Sequence, residues 1–549
     1  MELNIALIHE AIAAAVPERE CIVWRDRRLT WADVTDRTRR LANVLLGAGL
    51  GCHGDPDGVP GWEAVQDRVA LYMTNGNEYL EGMLGGYKAR VAPYNVNYRY
   101  VADELTYVLR DAGTRGVIFH ERYAPLLAEV LPRLDHRPEL LLQLADGSGH
   151  ALLDGASDYE DALAAASAGV SAADPEPDDL YIVYTGGTTG MPKGALWRQA
   201  DFLVAALGVT RRDGTDFESY EEMVDIAIRR GAALRTLPAP PLMHGAAHWN
   251  AISCWTSGGT IVMQDNPERL DAADILGTIE RERCTSLNIV GDAFAQPLLD
   301  ELDRRDYDLR ALRHVVTGGA VLSEPNKRAL VDRVPGLTIV DIVGSSESGR
   351  QGVASGTTTG SFTASPTACV LDDDRSRVLE PGDSEIGWLA QRGRMPRGYL
   401  GDRAKTELTF PTIAGVRYVV AGDRARVLVD GQIELLGRES VTINTGGEKV
   451  FAEEVELALK AHPAVYDVLV VGRPSERWGQ EVVAVVRLRE QPAVDDDELR
   501  AAARERLAGY KVPKQFVRVD AIERSPSGKP DYAWARAVAT EHADAGAQP

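Results

Sequence analysis

Apolar and polar positions along the chain change period repeatedly, and those changes mark the elements. "DRVALYM" (67–73), "VAPYNV" (91–96) and "RGVIFH" (115–120) are dense apolar runs of strand length, and "EYLEGMLGGYKA" between the first two has helical spacing. Thr30 opens "TWAD" as a capping-box start, and the helix after it carries Leu41, Val44 and Leu45 on one face. "DDLYIVYT" (178–185) reads as a strand that delivers a glycine-rich loop, and "ALRHVVTGGA" and "LTIVDIVGSSE" each run from a strand into a turn of small residues. Strand and helix patterns that alternate in this way predict an α/β architecture.

From about position 380 the pattern shortens to turn-punctuated strands, "EPGDSEIGWLAQRG" and "VRYVVAGDRARVLVDGQIELLGR", which predict a small β-barrel-like subdomain. After Arg438 it changes again: a helix "AEEVELALKAH", two strands "VYDVLVVG" and "EVVAVVRLR", and a helix "DDELRAAARERLA". The expected organisation is a large N-terminal domain, 1–437, of two αβ subdomains plus the barrel-like one, followed by a small α+β C-terminal domain, 438–549. The loop 51–66, rich in Gly, Pro and Asp, reads as a surface insertion without a site, and the polar tail 539–549 as frayed. No internal repeat is evident.

Length and composition narrow the function. At 549 residues, 44% hydrophobic and 26% charged, the chain is an ordinary globular protein too long for one core. A net charge of −22 excludes a nucleic-acid surface, which would need a basic stripe. The start lacks the basic n-region of a secretory leader, and no apolar run is long enough to span a bilayer. The five cysteines, at 21, 52, 254, 284 and 369, are scattered without CxxC spacing, which fits reduced thiols in a cytoplasm better than a disulfide frame or a zinc site.

The strongest chemical signal is "YTGGTTGMPKG" (184–194). Freed backbone amides, hydroxyls and one ammonium suit a polyphosphate, but Lys193 follows Pro192 and precedes Gly194, so this is not a Walker loop. Four more polar turns follow in order: "GSSE" (344–347), "AGDRARV" with Asp423, "GRESVTINTGGEKV" with Arg438, and "SPSGKPDY" with Lys529. Taken singly, Asp423 is a turn aspartate, Lys529 a solvated lysine and Glu347 a helix-start acid. In this order the five resemble the adenylate-forming superfamily of acyl-CoA synthetases, amino-acid adenylation domains and firefly luciferase, over nearly the whole chain.

The resemblance implies an acid–thiol ligase that uses ATP, Mg²⁺ and CoA. A carboxylate attacks the α-phosphate and pyrophosphate leaves; CoA then takes the acyl group and AMP is released. Thr185, Gly186, Gly187, Thr188, Thr189, Gly190 and Lys193 would hold the phosphates. Gly319, Ala320, Gly344, Ser345 and Ser346 would line the nucleotide, Asp423 would accept the ribose hydroxyls, and Arg438 would contact ribose or phosphate. Glu347, with Thr188, would hold the metal. Lys529 would bridge carboxylate and α-phosphate, and His244, in "PPLMHGAAHWN" (240–250), is a candidate catalytic or wall residue beside Trp249. After adenylation the C-terminal domain would rotate about a hinge at 438–440, withdraw Lys529 and bring in Gly446 and Gly447, where a pantetheine arm needs close backbone approach.

Three departures from the pattern matter. Ser440 stands where the hinge usually has Asp or Lys. Val343 stands where an aromatic residue often stacks on adenine, which leaves the base on aliphatic surface and the "TGGA" backbone. Gly344 stands where acetate-using relatives carry a tryptophan, which leaves the acyl pocket open. The 240–250 segment has no aspartate to hold an ammonium, which argues against an α-amino acid.

"LWRQAD", "VGDAFAQPLLD", "INTGGEKVFAEEVE", "AGYKVP" and "RSPSGKPDY" are similar to a branch of actinobacterial acyl-CoA ligases acting on fatty acids or steroid side-chain acids. The expected partner is a small hydrophobic carboxylic acid, a sterol side-chain acid first and a medium- or long-chain fatty acid second. A homo-oligomer stays open. The competing readings are an acyl-AMP ligase that loads a carrier protein and a degenerate scaffold. Retention of Glu347, Asp423, Arg438 and Lys529 argues against the scaffold.

Overall fold

The computed structural model describes residues 1–170, 173–185, 191–475, 477–491, 493–525 and 528–546. Its longest sheet starts with an antiparallel edge strand, Arg27–Thr30, and continues with parallel strands: Glu20–Trp24, Thr260–Met263, Arg235–Pro238, Ser286–Ile289, His314–Gly318 and Thr338–Ser345. Helices Ala272–Glu282, Asp292–Leu302 and Glu324–Arg333 pack on it around Leu237, Ile279, Leu287, Leu298 and Ile339. A second, five-stranded sheet is parallel throughout and includes the three strands read at 67–73, 91–96 and 115–120, now Arg68–Tyr72, Ala92–Asn95 and Thr114–His120. These strands are buried on both faces, which is why they read as continuous apolar runs. The helix Trp31–Gly47 has the expected capping box between Thr30 and Asp33.

The short strands after 380 form antiparallel pairs and join the long sheet. Gly349–Ser355 and Ser361–Ala364 carry the hydrogen bonding from Thr338–Ser345 to Ile433–Arg438, then to Asp423–Val427 and Gly387–Arg392. The β-rich region keeps its own small core of Phe362, Val370, Leu389, Ala425 and Ile433. A further apolar cluster is built from residues between Val441 and Ala539, around the hairpin of Val465–Ser475 with Gly479–Leu488.

Two local expectations change. The tail is not frayed as far as Gly546: the helix Tyr532–Gly546 runs through most of it, because Tyr532, Ala535 and Ala539 face the C-terminal core. The loop 51–66 lies on the surface, yet it braces a neighbouring strand. Arg397 donates to the carbonyls of Pro56 (2.7 Å) and Val59 (3.0 Å), and the Gly401 amide donates to Trp62 (2.8 Å). Gly61 permits this approach, since a Cβ there would lie 2.6 Å from the Arg397 carbonyl oxygen.

All five cysteines are free. Among the described residues, no helix is long and apolar enough to cross a membrane.

Candidate active site

The polar turns converge at the carboxyl ends of the parallel strands, where open α/β sheets bind ligands. His314–Gly318 ends in Gly319 and Ala320, and Thr338–Ser345 ends in the serine-rich turn. That turn is tightly closed. Ser345 and Ser348 hydroxyls lie 3.1 Å apart, the Ser348 amide donates to Ser345 Oγ (3.1 Å), and Trp197 Nε1 donates to the Ser346 carbonyl (2.9 Å). Gly344 has a reason of its own here: a Cβ would lie 1.9 Å from the Gly349 carbonyl oxygen across the hairpin. Val343, two strand positions before Ser345, packs partly on the Phe362 cluster.

Glu347 leaves this turn toward Tyr399, whose hydroxyl donates to its Oε1 (3.0 Å). Tyr399 is buried and comes from the short strand Gly398–Tyr399, paired to Lys193–Arg198 at the exit of the glycine-rich loop. Burial first, and the Glu347 carboxylate second, hold its phenol well above the usual value. Lys193 ion-pairs with Asp402, and this bond holds the Asp402 carboxyl below its ordinary range. Asp402 also caps the helix Arg403–Thr409 through the Lys405 amide (2.8 Å). Neither Tyr399 nor Asp402 is evident from the sequence. Thr185 pairs with Lys193 at the mouth of the hairpin, while Gly186, Gly187, Thr188, Thr189 and Gly190 lie outside the described residues.

Asp423 and Arg438 are directly opposite on neighbouring strands, and Arg438 Nε donates to Asp423 Oδ1 at 3.3 Å. Desolvation raises the Asp423 carboxyl, partly offset by Arg438; Asp423 in turn raises the Arg438 guanidinium. Lys529 reaches the same cleft, with its Cε 3.9 Å from where a Gly319 Cβ would stand. Packing around it lowers its ammonium, Arg438 lowers it further, and Glu347 opposes both. The side chain still meets solvent, as a residue at an open cleft should.

His244 precedes the helix Gly245–Thr256 without capping it through its side chain, and its Nε2 is buried without a hydrogen-bond partner. Burial, then the Lys529 charge, push its pKa down to about 3, so the ring is neutral. Behind it the aromatic wall is locked: Trp249 Nε1 donates to the Tyr181 hydroxyl (2.5 Å), Tyr181 bonds His248, and His248 Nδ1 bonds the Leu242 carbonyl (2.7 Å). Phe202 stacks on Tyr181 at 3.8 Å and meets Trp249 edge-on.

The cleft therefore gathers Glu347, Gly319, Arg438, Asp423, His244 and Lys529. Gly446 and Gly447 stand apart from that group, in a left-handed turn (φ +59° and +88°) where the Gly446 amide donates to the carbonyl of Trp478 (2.8 Å), in the turn between the two long C-terminal strands, and Gly447 faces open space. Ser440 is exposed, in a short 3₁₀ turn after Arg438.

Comparison with known proteins gives consistent results. The family described as "AMP-binding enzyme" matches residues 9–400, and "AMP-binding enzyme C-terminal domain" matches 454–529. The medium-chain acyl-CoA ligase Mig of Mycobacterium avium is 50% identical over 538 residues, covering 97% of this chain and 98% of that one. The 3-oxocholest-4-en-26-oate–CoA ligase of Rhodococcus rhodochrous is 39% identical over 550 residues, covering 98% and 96%. Among solved structures, the anthranilate CoA ligase AuaEII in complex with anthranoyl-AMP superposes with a TM-score of 0.82 at 22% identity, covering 99% of this chain and 98% of that one, a likeness of fold.

Proposed function

The chain belongs to the AMP-binding enzyme family, and on that premise we propose how it works as an AMP-forming acid–CoA ligase. The observation that carries the reading is the convergence of Lys529, Glu347 and the Asp423–Arg438 pair on one cleft, from four separate stretches of chain. Lys529 places a positive charge where an incoming carboxylate and the α-phosphate would both be anionic. Asp423, the first residue of its strand, suits two ribose hydroxyls, and Arg438 on the neighbouring strand orients it. Lys193 is held by Asp402 at the base of the glycine-rich loop, so phosphate oxygens would compete with Asp402 for the ammonium.

The Glu347 carboxylate, aimed by Tyr399, is a hard oxygen donor of the kind Mg²⁺ takes together with substrate phosphates and water. When bound, the metal would neutralise charge on the departing pyrophosphate. His244, neutral and with an unsatisfied ring nitrogen beside the Lys529 charge, suits a positioning wall for the acid and not a proton acceptor.

The second half-reaction would follow rotation of the C-terminal module about 438–440, with the boundary at 437/438, which would carry the Gly446–Gly447 turn to the cleft for the CoA thiol. For the acid, the branch motifs favour a sterol side chain. The 50% identity to a medium-chain ligase, against 39% to a steroid-acid ligase, supports a medium straight chain at least as strongly. Products from ATP and CoA with acetate, octanoate, palmitate and a sterol side-chain acid test both. Octanoate turnover well above the sterol acid selects the straight chain, and the reverse selects the sterol. AMP formation with none of them would refute the reading.

A further inference from the structure

The motif "VGDAFAQPLLD" (290–300) has no part in the chemistry above, yet it opens a helix one face of which bonds to the C-terminal module at three successive turns. Asp292, Gln296 and Asp300 are spaced by four and share that face. Lys460 Nζ donates to Asp292 Oδ2 (3.0 Å), Arg489 Nη2 to Gln296 Oε1 (2.7 Å), and the Tyr466 hydroxyl to Asp300 Oδ2 (2.8 Å). Gln296 Nε2 donates to Asp300 Oδ1 (2.8 Å), which ties two of the rungs together.

The Asp292 rung continues inward. Lys460 Nζ lies 3.3 Å from Asp467 Oδ1, and Asp467 takes a two-pronged bond from Arg524 (2.9 and 2.7 Å). Arg524 Nη1 then donates to the carbonyl of Gly528 (3.1 Å), the residue immediately before Lys529. Gly528 itself sits on the helix start, where a Cβ would lie 3.0 Å from Ala293 Cβ and 3.3 Å from the Val290 carbonyl. Asp292 and Lys460 expose only 8% and 9% of their side chains.

We propose that Asp292, Lys460, Asp467 and Arg524 form a relay of alternating charge that positions Lys529 for adenylation, with the 292/296/300 stripe as its seat. The proposal rests on the ligase reading. The relay is built to open as well as to close. Asp292 Oδ1 is already satisfied from its own domain by the Ser323 amide (2.8 Å), Ser323 Oγ (3.0 Å) and Asn326 Nδ2 (2.9 Å). Lys460 in turn keeps Asp467. Departure of the module therefore takes the Lys460 cation from Asp292 but leaves three hydrogen bonds on its carboxylate and leaves Lys460 paired with Asp467, which softens the penalty of a stranded buried ion. Asp292, Lys460, Asp467 and Arg524 are positioning residues, since their effect reaches the reacting atoms only through Lys529.

The test separates the two half-reactions, using the acid that the wild-type enzyme turns over fastest. Asp292→Asn keeps the volume and a carbonyl for Ser323 but loses the anion facing Lys460. ATP–pyrophosphate exchange should fall roughly 10- to 100-fold, below the full effect of breaking a buried pair because Lys460 keeps Asp467. Thioesterification of supplied acyl-adenylate by CoA should be unchanged or faster. Tyr466→Phe, which removes a single hydroxyl, should show the same split at roughly threefold, and it keeps the test available if Asp292→Asn does not fold. Equal losses in both half-reactions would reduce the stripe to ordinary packing and overturn the proposal, as would unchanged exchange in both variants. Wild-type enzyme that forms no adenylate from any acid would instead refute the ligase reading itself.

Discussion

Replacing Tyr399 by phenylalanine removes one hydroxyl, and that hydroxyl donates to Glu347 Oε1 at 3.0 Å. Tyr399 is 5% exposed, so the ring is fixed and its donor is pre-aimed. A hydrogen bond to a charged group is worth about 1.5–3 kcal/mol, and each 1.36 kcal/mol of transition-state stabilisation is about tenfold in rate. Glu347 is half-buried, so water can partly replace the donor, which places the expected loss near the lower end. The adenylation rate should fall about tenfold. On the proposal that Glu347 holds Mg²⁺, the loss should shrink as Mg²⁺ is raised, because the metal would reorder the carboxylate that the hydroxyl no longer holds. The assay is ATP–pyrophosphate exchange over a magnesium titration, with thermal unfolding as a control. The phenyl ring fills the same space, so the melting temperature should hardly move. Exchange within about twofold of wild type at every magnesium level would refute the idea that Tyr399 aims Glu347.

Other expectations follow from the same geometry. Gly344→Ala drives a Cβ into the Gly349 carbonyl, a backbone atom that cannot step aside; a cost of about 1–3 kcal/mol and weakened ATP binding should appear in unfolding and nucleotide titrations. Trp249→Ala breaks the lock to Tyr181 and opens the wall behind His244; the ratio of palmitate to octanoate turnover should rise, and an unchanged ratio would remove Trp249 from the acyl pocket. Glu453 is a carboxyl raised from 4.5 to about 8, chiefly by burial and then by Glu456. The folded chain therefore keeps a proton that the unfolded chain has lost, and stability falls as pH rises from about 4.5 to about 8. Glu453→Gln should flatten that decline, so its melting temperature should gain on wild type between mildly acidic and alkaline buffers.

The legible parts of the sequence were those with local signals. Strands ending in small-residue turns announced where Gly319 and Ser345 would sit, because an apolar run stopping at glycine is visible within ten residues. Four of the five ordered turns supply Glu347, Asp423, Arg438 and Lys529, which the structure brings to one cleft. Long-range pairing was not visible in this way. Tyr399 and Asp402 lie in "RGYLGD", an unremarked loop, and become functional candidates only because Gly398–Tyr399 pairs with Lys193–Arg198 some 200 residues earlier. The tail misled by polarity: it continues a helix begun at Tyr532 whose buried face is carried by Ala535 and Ala539, and alanine at helical spacing is a weak apolar signal but a strong helix former. The 290–300 helix was recognisable as a branch motif, but its use as a seat depended on Lys460, Tyr466 and Arg489, which lie far along the chain.

The most direct test of the account is the product balance of the wild-type enzyme and Lys529→Ala, with ATP, CoA and the preferred acid. Wild type should release AMP and acyl-CoA in equal amounts. Lys529→Ala should form almost no acyl-adenylate, yet still convert supplied acyl-adenylate to acyl-CoA. Acyl-adenylate that accumulates in wild type without acyl-CoA, or adenylation that survives the loss of Lys529, would contradict it.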